Sequence, residues 1–136
     1  MISFIDRDAI DLDDLISDLE TGGPCDIVSG GRTKERALER FAETLRFPDW
    51  FGHNLDALYD LLDQHAFAAT ASGQDWTLLW IPGRRLLRDE PRAYRGIVSV
   101  LGDVTDLRGT EPGQGARVVV VYGPDPSRLQ ESTTRD

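Results

Sequence analysis

A chain of 136 residues is long enough for one domain with a buried core, and a 40% hydrophobic content excludes a disordered protein. With 24 acidic residues against 15 basic ones the net charge is −9; this argues against nucleic acid as a partner, because phosphates would be repelled rather than neutralised. The same charge suits a basic protein partner, or serves only to keep the protein soluble.

Cys25 is the single cysteine, so an internal disulfide is excluded and a reducing, cytoplasmic setting is expected. No apolar run approaches the length of a membrane span. Met1 to Asp6 lacks the basic and apolar regions of a secretory leader.

In chain order, Ile2–Ile5 is a possible short strand. Asp11–Glu20 reads as a helix capped by Asp11, with Leu12, Leu15, Ile16 and Leu19 as one apolar stripe. Gly22-Gly23-Pro24 stops it. The first 26 residues carry eight acids and one base, Arg7; this arm is either a second contact surface or a solvated helix face. Residues 1–24 are therefore an acidic helical extension packed on the same domain, 25–123 form the main unit, and 124–136 are a polar tail. Cys25–Ser29 reads as a strand. Gly30-Gly31 turns the chain into a helix over Lys34–Leu45, capped by Thr33, in which Arg40 and Glu43 can pair at i, i+3.

Pro48 closes that helix, and Asn54 is the expected cap of the next, Leu55–His65. Ala66–Gln74 reads as a loop or a frayed helix end. Trp76–Ile81 and Arg117–Tyr122 are nearly continuous in apolar residues, as strands buried on both faces are. Between them lie a basic cluster, Arg84-Arg85 with Arg88, and a helix over Glu90–Thr105. Thr110–Gly115 reads as a mobile loop. Strands separated by helices imply a small parallel sheet, an α/β architecture.

The chemistry concentrates in Phe47–Leu62. Asp49, Asp56, Asp60 and Asp63 lie in or beside this stretch, and no Lys or Arg occurs between Arg46 and Arg84. Asp56 and Asp60 repel each other by a few tenths of a kcal/mol at i, i+4 on an open helix. Trp50, Phe51 and Tyr59 flank them, and aromatic anchors beside charges characterise interface hot spots. Two readings stay open on these residues. Either the carboxylates accept arginines of a basic partner where phosphates would sit, or the aromatics are core and the aspartates only solvate the helix. His53, Asp56 and Asp60 share a helix edge loosely as metal ligands do, but no second His- or Cys-rich segment completes a set. No nucleophile elbow or dinucleotide fingerprint occurs. No enzyme activity, metal or cofactor is expected.

Phe47-Pro48-Asp49-Trp50-Phe51-Gly52-His53-Asn54-Leu55-Asp56-Ala57-Leu58-Tyr59-Asp60 resembles the signature segment of the barstar family, the intracellular inhibitors of barnase-type ribonucleases. The order of elements from Cys25 to Tyr122 is similar too, as is a Trp closing the middle strand, here Trp80. The resemblance implies a three-stranded parallel sheet flanked by helices, here with the extra N-terminal helix. It implies that Asp60 stands where the family's chief aspartate enters the nuclease active site as a phosphate mimic, and that Asp56 is the second interfacial aspartate. Trp50 and Tyr59 occupy aromatic contact positions, Gly52 and Asn54 belong to the contacting loop, and Asp103 is the candidate for a further acid on the last helix. Phe51 and Asp63 complete the expected partner-binding set.

The chain departs from the family pattern at Gln64-His65, where a Gly-Trp contact pair is usual, and in its longer loops at Ala66–Gln74 and Gly109–Gly115. The implied function is that of a non-enzymatic ribonuclease inhibitor or immunity protein of a bacterial toxin–antitoxin type, capping a basic ribonuclease made by the same cell. The alternative is an acidic adaptor for a basic partner that is not a nuclease.

Overall fold

The structure is a computed structural model that describes residues 2–49, 51–71, 73–106 and 115–122, with Asp106 described in its backbone alone. The expected loop at Thr110–Gly115, apart from Gly115, and the polar tail 124–136 lie outside the described residues.

The elements follow in the order β1 (Ile2–Asp6), a 3-10 turn (Arg7–Ala9), α1 (Leu12–Thr21), β2 (Cys25–Ser29), α2 (Lys34–Leu45), α3 (Leu55–Thr70), β3 (Trp76–Ile81), α4 (Arg84–Asp89), α5 (Pro91–Asp106) and β4 (Ala116–Tyr122). The strands form one sheet in the order β1-β4-β3-β2, and every pair is parallel. The sheet thus has the three expected strands and a fourth, at the segment read as a possible short strand. The fourth is the N-terminal segment, whose Ile2 to Asp6 pair with Val118 to Tyr122. It supplies an edge to β4, leaving β3 and β4 as the two fully flanked strands.

Alternation along the strands sorts the core into two layers. Val28, Trp76, Leu78, Trp80, Val118 and Val120 face α2, α3, α4 and α5. Leu79, Ile81, Val119 and Val121 face the other way, where Leu12, Leu15, Ile16 and Leu19 of α1 cover them. The amphipathic stripe read from the sequence is therefore the roof of the second layer. Asp11 caps α1 by accepting the Asp14 amide.

The carboxyl end of the sheet is tightly turned. Gly31 has φ +101°, and a Cβ there would sit 2.6 Å from the Ala37 backbone. Across the turn, a Cβ on Gly83 would lie 2.7 Å from the Gly31 carbonyl. These glycines bring the start of α2 against the start of α4. Glu90, between α4 and α5, accepts the Lys34 amide at 3.2 Å, so a carboxylate satisfies one of the open N–H groups at the positive end of α2.

Two helices differ from expectation. α4 folds from the basic cluster, for which the sequence suggested no element, because Leu86 and Leu87 find buried positions. α3 runs five residues past His65 to Thr70. Ala66 is fully buried, Ala68 and Ala69 are strong helix formers, and the Thr70 hydroxyl closes the end on the Ala66 carbonyl. Ala66–Thr70, the first part of the segment read as a loop or a frayed helix end, is thus the last turn and a half of a 16-residue helix.

Candidate functional site

The site is built on α3 and the loop that leads into it. α2 ends at Leu45 because Arg46 adopts the left-handed conformation, φ 58°. The chain then runs back along α2 to the carboxyl end of the sheet. Phe47 donates its amide to Ala42, and Phe51 to Pro48, each at 3.0 Å. The Phe47 and Phe51 rings meet edge to face at 5.1 Å, and His53 lies 5.0 Å from Phe51. His53, at φ 50°, turns the chain into α3. Its ring therefore stands against Phe51, an aromatic neighbour that the spacing with Asp56 and Asp60 does not reveal.

Asn54 caps α3 by accepting the Ala57 amide at 2.8 Å, and its own amide reaches back to the Gly52 carbonyl at 3.4 Å. Gly52 is tight against it: a Cβ there would lie 2.9 Å from Asn54 Nδ2. Both residues thus shape the start of the helix, and both are exposed.

Along α3, Leu58, Leu61 and Leu62 are buried, while Asp56 and Asp60 are exposed one turn apart. Among the described residues neither of these two aspartates has an ion-pair partner. Tyr59 and Asp63 are half-buried, with Tyr59 packed against the core. Phe51 is only 5% exposed. Its ring belongs to the core, so the expectation of a partner contact by that side chain is corrected; it props the loop from beneath. Trp50 lies outside the described residues.

α5 packs beside α3, and Leu55 approaches Gly96 so closely that a Cβ there would be 2.8 Å from Leu55 Cδ1. Both helices start at the carboxyl end of the sheet, where Leu55 shares a pocket with Lys34, Glu90 and Pro91. Asp103, seven residues past Gly96 on α5, is exposed.

The far end of α3 is braced from below. His65 Nε2 lies 2.9 Å from Asp26 Oδ2, and the same oxygen accepts the Trp76 indole N–H at 2.7 Å. The His65 bond first, and the Trp76 bond after it, hold the Asp26 carboxyl below the usual aspartate range against the opposing effect of burial. His65, one of the two residues at which the chain departs from the family pattern, is thus turned towards the sheet.

The family model for Barstar (barnase inhibitor) matches residues 27–123. The chain belongs to the barstar family. The match begins inside β2, so β1 and α1 lie outside it. The family's role is inhibition of barnase-type ribonucleases, and its members are inhibitors rather than enzymes. No curated protein matches the chain. Among the described residues no helix is long and apolar enough to cross a membrane.

Proposed function

We propose that this barstar-family protein is a cytoplasmic inhibitor, or immunity protein, of a basic barnase-type ribonuclease, and that α3 carries Asp60 and Asp56 into the nuclease's phosphate-binding cleft. The observation that carries this reading is the pair of exposed carboxylates, unpaired among the described residues, within the family's signature segment on a helix capped at one end and braced at the other. A carboxylate held in that way meets the arginines and lysines of a phosphate site without first giving up an internal partner. Tyr59, Gly52, Asn54, Asp63 and, from α5, Asp103 are proposed as further contacts with the partner. Trp50, next to them in sequence, is proposed as an aromatic contact.

The test is titration of a purified barnase with the protein, followed by the Asp60→Ala variant. Inhibition at equal stoichiometry is expected. The variant should lose about 2–5 kcal/mol of binding, the range for truncating one partner of a buried interfacial charge pair, for which the barnase–barstar interface is itself a source. Its melting temperature should stay within about 2 °C, since an exposed charge contributes little to folding. Inhibition unchanged by Asp60→Ala would contradict phosphate mimicry, and no complex at all would favour an adaptor role for the acidic face.

A further inference from the structure

The longer α3 changes what its outer face presents. Asp56, Asp60, Asp63 and Phe67 are spaced four, three and four residues apart, which puts all four within an arc of about 60° on a helix of ~100° per residue. Phe67 is 67% exposed, the highest value among the large apolar side chains described. Burying such a ring completely would be worth up to about 1.5–3 kcal/mol, and most of its surface is still open to supply part of that.

We propose that Phe67 is an aromatic anchor for the same basic ribonuclease that Asp60 engages, extending the contact about two turns beyond the acidic pair. This rests on the inhibitor reading above. The distance fits: seven residues at ~1.5 Å place Phe67 about 10 Å along the axis from Asp60. A standard interface patch of about 800 Å² per partner is wide enough to include both. The charge on the stripe selects the occupant. Asp63 lies one turn from the ring, Asp60 and Asp56 lie further along the same stripe, and the chain carries −9 overall, so a second copy brings like charges face to face while a basic protein brings opposite ones. The two ends of the stripe also divide the work. The aspartates steer and orient, whereas the ring buries apolar area, which shows mainly in dissociation.

The experiment compares the parent chain, Phe67→Ala and Asp60→Ala by surface binding kinetics against barnase at two salt concentrations, with sedimentation and thermal melting of each free chain. For Phe67→Ala we expect about a tenfold or greater loss of affinity, carried by faster dissociation and little changed by salt, with the melting temperature kept. If the parent binds, Asp60→Ala fails and Phe67→Ala binds like the parent, the anchor is refuted while the inhibitor reading stands. If sedimentation shows a dimer of the free parent that Phe67→Ala abolishes, the ring serves a second copy and the proposal is overturned. If the parent itself does not bind barnase, the inhibitor reading falls and the anchor with it.

Discussion

Replacing Asp26 with Ala should destabilise the fold by about 2–4 kcal/mol. The figure follows from what the carboxylate holds. Its Oδ2 accepts the Trp76 indole N–H at 2.7 Å and lies 2.9 Å from His65 Nε2. Trp76 is 1% exposed, so its N–H would be stranded without water, at about 1–3 kcal/mol, and a bond to a charged acceptor contributes about 1.5–3 kcal/mol in its own right. These two figures overlap, because both describe the same donor, so they are not summed. The His65 contact adds less, its side chains being 27% and 32% exposed. For a domain of this size the loss corresponds to roughly 10 °C in melting temperature. Asp26→Asn keeps an acceptor for Trp76 and should recover about half.

The pH dependence has a definite sign. The folded carboxyl lies below its ordinary range, so the Asp26 contribution is complete at neutral pH. It is lost as pH falls through about 4, the value of an unfolded aspartate, towards the lower folded value. Urea unfolding at pH 7, 5 and 3.5, with a double-mutant cycle between Asp26→Ala and Trp76→Phe, measures both effects. The parent's advantage over Asp26→Asn should begin to shrink as pH falls below about 4 and go on shrinking towards the lower folded value. Additivity of the two substitutions within about 0.5 kcal/mol, or an advantage unchanged from pH 7 to pH 3.5, would refute the bracing role.

Two further outcomes concern the scaffold. Gly31→Ala should cost more than about 2 kcal/mol, read as a lower urea midpoint at unchanged slope, because its φ is +101° and the new Cβ would press on the Ala37 backbone. Deleting residues 1–24 removes β1 and α1 and uncovers Leu79, Ile81, Val119 and Val121. The loss of apolar cover should reach several kcal/mol, comparable with the whole stability of a domain. The truncated chain should bind a hydrophobic dye and lose cooperative unfolding, and a sharp transition at the parent's temperature would show that the extension is dispensable.

The chain shows how far local physics reaches. Helix caps at Asp11, Thr33 and Asn54, the α2 span and the strands Cys25–Ser29 and Trp76–Ile81 are all legible in sequence, and the structure agrees with each. The reason is that capping and apolar periodicity act within a few residues. The Arg40–Glu43 pair, at 3.5 Å, is legible on the same ground. So is the outward direction of Asp56 and Asp60, since helical spacing alone separates them from Leu58 and Leu62.

What the tertiary structure alone decided depends on partners distant in the chain. Ile2–Asp6 is a strand because β4, over a hundred residues later, offers it an edge. Phe51 is core rather than contact because Phe47 and His53 close around it, which no period of the local sequence encodes. The end of α3 was set by burial of Ala66 and by the brace from Asp26, 39 residues earlier, to His65. Sequence by itself thus placed the two aspartates on the outer face of a helix. Only the packed fold, by carrying that helix on to Thr70, placed Phe67 in line with them.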